Sequence, residues 1–320
     1  MKIVLLRLDK IGDLVSTLPV DQIPELQGHE VRWVISEGLG FVARASGRER
    51  EAFEISLNEP KTAQKKLRAF LDEFQPDLAI MFYGPWWAAK TLWQARVPRR
   101  FGRRSQWFSY VFLNEGLRQS RSQADRHESA YNLELVLAAL GAKIENREAP
   151  ILKLDARPQR HLFEKYNLKT GEYVVVHPGM AGSALNWPTE NYIALIEELK
   201  KTTNVVLTGT KADEKYLAPI KAKFPHDPNV QSLQGLLDQQ ELLFILKSSA
   251  GVVAPSTGIV HLAASLGART VGLYSPVQVH HPTRWGPRGP DVRVLVPDSD
   301  ADPENCMKQI TVDQVLKCLK

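Results

Sequence analysis

Residues 173–176 read Tyr-Val-Val-Val, and the chain then turns at once through His177-Pro178-Gly179. A short apolar, β-branched run without polar alternation suits a strand covered on both faces, which is the condition of strands in parallel sheets. Parallel strands need a crossover, usually a helix. The sequence supplies one: after Ala181-Gly182-Ser183-Ala184 and Asn186-Trp187-Pro188, a helical pattern runs over 190–200. A small-residue loop between a buried strand and a helix start lets backbone N–H groups approach an anionic ligand. In an open parallel sheet such a loop lies at the carboxyl edge, where ligands bind. An ordinary strand-to-helix turn would look the same, so other stretches have to decide.

The pattern recurs along the chain. Strands are expected at 2–7, 30–35, 76–82, 204–208, 251–254 and 269–274. Helices are expected at 67–74, 125–140 (closed by Gly141), 158–166, 211–224, 239–249 and 311–319, the last capped by Thr311. Periodicity weakens over 145–171, which reads as a linker. Two successive runs of strand and helix imply an α/β chain with two Rossmann-like domains, 1–155 and 156–320. A length of 320 residues suits two cores better than one.

Composition excludes several classes. With 43% hydrophobic and 24% charged residues the chain is ordinary for a globular enzyme. No apolar run reaches the roughly 18 to 20 residues of a membrane span. The start, MKIVLLRLDKIGD, lacks a small-residue cleavage site and reads as a first strand rather than a signal peptide. Two cysteines, Cys306 and Cys318, make neither a disulfide framework nor a metal cluster. The expected compartment is the cytoplasm.

The net charge of +5 is unevenly spread. Arg96, Arg99, Arg100, Arg103, Arg104, Arg118, Arg121 and Arg126 fall in one segment, interleaved with Phe101, Trp107, Phe108, Tyr110 and Phe112. Trp86, Trp87 and Trp93 come just before it. Such a patch favours nucleic acid, an anionic membrane surface or a phosphorylated substrate; a solvated basic face is the bland alternative. No RNP, helix-turn-helix or zinc-finger pattern accompanies it, so no nucleic acid is expected.

Two further stretches carry chemistry. Asp13 stands near a helix start after the first strand, where a carboxylate either caps free N–H groups or takes a proton from a substrate hydroxyl. Ser256-Thr257-Gly258 follows the strand at 251–254 and opens a helix of small apolar residues carrying His261. Hydroxyls, free N–H groups and the helix dipole together suit a diphosphate, although an N-cap and a core histidine explain the same residues. Neither G-x-G-x-x-G nor G-x-x-x-x-G-K-[ST] is present.

With these residues in view, the chain resembles the glycosyltransferase family 9 enzymes, the ADP-heptose:lipopolysaccharide heptosyltransferases and their relatives. The resemblance runs through Arg7-x-Asp9-x-Ile11-Gly12-Asp13 with Pro19, then His177-Pro178-Gly179 with Gly182-Ser183 and Asn186-Trp187-Pro188. It continues through Leu207-Thr208-Gly209 with Asp213-Glu214, Ser256-Thr257-Gly258-x-x-His261, and Arg284-Trp285-Gly286-Pro287. It implies a GT-B fold, two Rossmann-like domains facing across a cleft, with acceptor on the first and nucleotide-sugar on the second. Transfer would be inverting and metal-independent, with no cofactor beyond the donor.

Under the resemblance Asp13 is the general base. The donor, ADP-heptose, would meet Gly179, Ser183, Asn186, Trp187, Thr208, Gly209, Asp213, Glu214, Ser256, Thr257, Gly258 and His261. Lys10, Gly12, Arg99, Arg100 and Arg103 would meet a lipid-linked phosphorylated saccharide acceptor, bringing the protein to the inner face of the cytoplasmic membrane. Two positions depart from the family's pattern. Leu185-Asn186 stands where a lysine or arginine is common, and Ser256 where an aspartate is common. The departures leave open a same-fold transferase with another nucleotide-sugar and surface-glycan acceptor, or a non-catalytic sugar-nucleotide binder. A nicotinamide-dependent oxidoreductase is disfavoured by the missing glycine fingerprint.

Overall fold

The computed structural model describes residues 1–144, 147–180, 185–298 and 305–320. The chain forms two compact units, Met1–Arg121 with Asp125–Leu152, and Ser122–Ala124 with Lys153–Lys320.

The first unit holds β1 (Lys2–Arg7), β2 (Glu30–Ser36), β3 (Ala52–Ile55), β4 (Leu78–Tyr83), β5 (Arg99–Arg103) and β6 (Glu115–Leu117). All pair in parallel, in the order β3-β2-β1-β4-β5-β6. Its helices are α1 (Ile11–Thr17), α2 (Gly40–Arg44), α3 (Pro60–Phe74), α4 (Trp86–Gln94), α5 (Trp107–Val111) and α6 (Glu128–Ala139). Ile3 to Leu6 in β1 are fully buried, as a central parallel strand requires. Ala63, Leu67, Leu71 and Phe74 form the buried stripe of α3, spaced by three and four residues along one helix face. Gln75 then closes that helix in the left-handed region.

The second unit holds β7 (Tyr173–Val176), β8 (Asn204–Leu207), β9 (Val230–Ser232), β10 (Gly251–Pro255), β11 (Thr270–Leu273) and β12 (Val292–Leu295). These are also parallel, ordered β12-β11-β10-β7-β8-β9. Its helices are α7 (His161–Tyr166), α8 (Thr189–Leu199), α9 (Glu214–Lys223), α10 (Gln239–Ser248), α11 (Gly258–Ser265), α12 (Pro282–Trp285) and α13 (Val312–Leu319). Trp187, Tyr192 and Leu195 pack with Val253, Val271 and Val315 in the core on one side of this sheet. Thr311 caps α13 with a reciprocal Gln314 bond.

Each sheet therefore starts at its middle, grows to one edge, and returns to grow toward the other. The order reverses between β1 and β4 in the first sheet, and between β7 and β10 in the second. At such reversals the loops leaving the carboxyl ends diverge and open a crevice for ligands. Asp13 follows β1, the His177-Pro178-Gly179 turn follows β7, and Ser256-Thr257 follows β10. Among the described residues no helix is long and apolar enough to cross a membrane.

Five strands depart from the sequence expectation: β3, β5, β6, β9 and β12 are edge or near-edge strands, short and interrupted by polar or charged residues, and carry no long apolar run. Two of them, β5 and β6, lie inside the arginine-rich segment. Helix α3 begins at Pro60, not 67, because its first two turns are polar outside Ala63. Helix α1 begins at Ile11, which puts Asp13 inside the first turn. Pro19 sits in the short turn Leu18–Gln22 that follows.

Candidate active site

In the first unit the apolar run of β1 ends on a charged residue. The pairing of β1 with β4 shifts register between Leu6 and Arg7, so the last residue of the strand is re-aimed. Arg7 is 2% exposed, and its guanidinium meets Asp9 at 2.8 Å, Asp13 at 2.6 Å and Glu128 at 3.3 Å. Glu128 opens α6, is itself buried, and also accepts from Arg121. Asp13 does not cap its helix; Lys10 holds the cap position. The Asp13 carboxylate is instead aimed by Arg7 and stays 20% exposed, while its backbone carbonyl accepts from Thr17 Oγ1. Asn132 of α6 donates to that same hydroxyl, fastening α1 from a second side.

Arg7 and Arg121 thus gather Asp9, Asp13 and Glu128 into one cluster of charges. Burial pushes the Asp9 carboxyl up to about 7, helped by the nearby Asp13 charge and opposed by Arg7. Burial works against the Arg7 cation, but the three carboxylates outweigh it and hold its pKa above the ordinary arginine value. Asp9 is thereby pushed toward the protonated state near neutral pH.

In the second unit, β7 delivers His177 into a buried position where Nδ1 lies 3.1 Å from Thr208 Oγ1. Burial lowers the His177 pKa to about 4, against the pull of Asp213, so the ring is neutral near pH 7. Gly179 passes so close to Asp213 that a Cβ there would lie 2.4 Å from the carboxylate carbon. Asp213 in turn accepts from the N–H and the hydroxyl of Thr210, both at 2.8 Å. Gly209 leaves similar room, since a Cβ on it would meet Leu217 at 2.5 Å. The two glycines thus let the loop after β7 and the connection from β8 to α9 pack closely.

Beyond β10, Thr257 takes the cap position of α11 without a capping bond from its side chain. Its Oγ1 is buried and, among the described residues, has no hydrogen-bond partner. The first N–H groups of α11 have no partner within the helix either, and the dipole leaves positive charge there. His261 is buried one turn further on. The Tyr274 hydroxyl donates to the Trp285 carbonyl at 2.8 Å, which ties the Arg284-Trp285-Gly286-Pro287 segment to the end of β11.

Several residues picked out in the sequence have other work. The Trp187 indole is 2% exposed, donates to the Ile310 carbonyl at 2.9 Å and stacks edge-on against Tyr192, so it belongs to the core. Asn186 donates to the Pro178 carbonyl at 2.8 Å and accepts from Trp187 N–H, stapling the loop to itself. Glu214 is exposed and pairs with Lys221. Arg99 makes two bonds to Glu115 and one to the Ala139 carbonyl. Arg100 is spent on the carbonyls of Val97 and Phe112. Arg103, at the carboxyl end of β5, bonds Ser105 at 2.9 Å. Lys10 and Gly12 flank the Asp13 turn, and the Gly12 carbonyl accepts from Ser16. Ser183 lies outside the described residues.

Sequence reasoning met Arg7 and Asp9 only as letters of the family motif, without a role, and did not place Glu128 or Arg121 in a site. Arg7 had a signal, a charge ending a buried run. Glu128 had none, because 121 residues separate it from Arg7.

Known proteins share this fold. The solved E. coli ADP-heptose lps heptosyltransferase II superposes with a TM-score of 0.80 at 19% identity, covering 100% of this chain and 97% of its own. The E. coli heptosyltransferase WaaC with ADP gives 0.75 at 19% identity, covering 99% and 98%. The family 9 glycosyl transferase from Veillonella parvula gives 0.82 at 18% identity, covering 99% and 95%. These likenesses establish the GT-B fold. A Haemophilus influenzae protein with a provisional glycosyltransferase name is 25% identical over 301 residues, covering 89% of this chain and 86% of that protein. The model of glycosyltransferase family 9 (heptosyltransferase) matches residues 65–314. Because that match spans more than half of the chain, the chain belongs to glycosyltransferase family 9.

Proposed function

We propose that the chain is an inverting glycosyltransferase moving heptose from ADP-heptose onto a lipopolysaccharide core or a related phosphorylated glycolipid. It would act at the cytoplasmic face of a membrane, with the first unit taking the acceptor and the second the donor. The acceptor hydroxyl oxygen attacks the anomeric carbon while the bond from that carbon to the diphosphate breaks. The bonding pair leaves on the diphosphate, and the hydroxyl proton passes to Asp13. A single displacement of this kind inverts the anomeric centre.

The observation that carries this reading is the state of Asp13. It is excused from capping, held by a buried guanidinium at 2.6 Å, and left 20% exposed at a sheet's switch point. A pure binding protein has no need for a carboxylate held that way, whereas a general base needs a fixed position and access to substrate. The uncapped hydroxyl of Thr257 and the start of α11 supply donors where the leaving diphosphate gains charge. The similar E. coli heptosyltransferase WaaC has been solved with ADP and with ADP-2-deoxy-2-fluoro heptose, which favours that donor.

A second reading keeps the fold and chemistry but changes the nucleotide-sugar. Ser256 stands where the family commonly has an aspartate, and Asn186, where a cation is common, is stapled to Pro178. Thermal unfolding with ADP, UDP, GDP and their sugars separates the two, because a ligand that binds the folded state raises its stability. A shift confined to ADP and ADP-heptose supports heptose transfer. A shift with UDP- or GDP-sugars moves the donor. Glycosyl transfer retained in Asp13→Ala at the wild-type rate would remove the base from the mechanism.

A further inference from the structure

We propose that the face made by α4 and α5 docks on an anionic phospholipid surface. The inference extends the glycolipid reading by naming the surface through which the bilayer is reached, and it is tested without sugar or nucleotide.

Four rings form an unbroken ridge across these helices. Trp86 lies 6.5 Å from Trp107, Trp107 lies 6.2 Å from Phe112, and Phe112 lies 5.9 Å from Trp93. The ridge is not core. Trp86, Trp93 and Trp107 are 46%, 50% and 63% exposed, and Val111 beside them is 59% exposed. Contiguous exposed apolar surface of this kind marks an interaction site. Tryptophan is the side chain best suited to the boundary between water and acyl chains, with an apolar body and one N–H for the wet side.

Charge selects the occupant. Residues 60–117, the stretch from α3 to β6 that contains both helices, carry ten basic and four acidic residues, a surplus of six in a chain whose net charge is +5. Trp93 also walls a groove of about 870 Å³ between α3 and α4, lined by Lys65, Arg68 and Arg96. Arg68 is paired with Asp72, but Lys65 and Arg96 are exposed and make no ion pair among the described residues. An aromatic ridge bordered by unpaired cations matches phospholipid headgroups above acyl chains. A second copy of the chain is a poor match, since a symmetric contact would press this basic face against itself. The ridge also begins where α4 and α5 leave the carboxyl ends of β4 and β5, the sheet edge that bears Asp13. Docking there would put Asp13 on the side from which a lipid-linked hydroxyl arrives.

The test is co-sedimentation of the full chain with vesicles of equal parts phosphatidylglycerol and phosphatidylcholine, and with phosphatidylcholine alone. We expect binding to the anionic vesicles that weakens with added salt, and little binding to the neutral ones. Trp93→Ser with Trp107→Ser, and separately Lys65→Glu with Arg96→Glu, should each lower anionic partitioning about tenfold or more. Both pairs are exposed, and an unchanged circular dichroism spectrum and melting temperature would certify the fold. Wild-type protein that stays in the supernatant with every vesicle overturns the proposal. So do variants that pellet like wild type, or an ultracentrifugation profile in which the ridge holds a dimer that the tryptophan pair dissolves. Failure here leaves the transferase reading intact, because no donor or acceptor is in the tube.

Discussion

Arg7 Nη2 donates to Asp13 Oδ1 at 2.6 Å, from a side chain 2% exposed to one that keeps 20%. The cation is locked in the interior and the carboxylate is left at the edge. The pair therefore divides labour between holding and reacting.

That division predicts different losses from the two partners. Asp13→Asn leaves Arg7 with Asp9 and Glu128, so stability should change little while kcat falls about 10²- to 10⁴-fold, the span of general-base catalysis. Arg7→Gln removes the buried cation shared by Asp9, Asp13 and Glu128 and lets those carboxylates repel, so stability should fall by about 3 to 5 kcal/mol along with the rate. Urea unfolding beside initial rates reads both. Equal destabilisation by the two changes would mean that Asp13 is structural.

The Asp9 carboxyl should appear in the pH dependence of stability. Its ordinary value is 3.8 and the folded value is about 7, so between them the folded state keeps a proton that the unfolded state has released. The contribution is complete below about pH 4 and is lost as pH rises through about 7. Asp9→Asn is neutral throughout and lacks that loss. Melting temperatures at pH 5 to 8 should therefore shift in the variant's favour, relative to wild type, as pH rises. A constant difference would show that Asp9 does not hold a proton in the folded state.

What the sequence made legible follows from how each feature is encoded. The Tyr173 to Val176 strand, the Gly141 stop and the Thr311 cap are local patterns, and each is where it was expected. The buried cluster at Arg7 is not local, since Glu128 reaches it across 121 residues. The arginine-rich segment misled for a related reason. Its charge was visible, but the carbonyls of Val97, Phe112 and Ala139 that consume Arg99 and Arg100 come from folded turns and helix ends. Trp187 is placed at the donor by the family resemblance alone. Its indole N–H instead finds the Ile310 carbonyl, a partner 123 residues away.

Gly179 should be intolerant of a methyl group. A Cβ there would stand 2.4 Å from Asp213 Cγ and 2.5 Å from its Oδ1, inside any real contact distance. Displacing that carboxylate breaks its two bonds from Thr210 and uncaps the turn into α9. Gly179→Ala should cost about 1 to 3 kcal/mol in urea unfolding and weaken nucleotide binding in step. An unaffected unfolding midpoint would show that the loop has room the structure does not display.

Thr257→Val separates binding from stability in the opposite sense. The hydroxyl is buried without a partner among the described residues, so the ligand-free protein gains nothing from it and bears its desolvation. Valine keeps the shape and removes the polar atom. The ligand-free melting temperature should hold or rise, by up to about 1 kcal/mol of stability, while affinity for the nucleotide diphosphate falls about tenfold. Calorimetric titration with ADP beside a thermal melt gives both numbers. If the variant melts lower and binds ADP as well as wild type does, the hydroxyl serves the fold, and the diphosphate must be held by other donors at the start of α11.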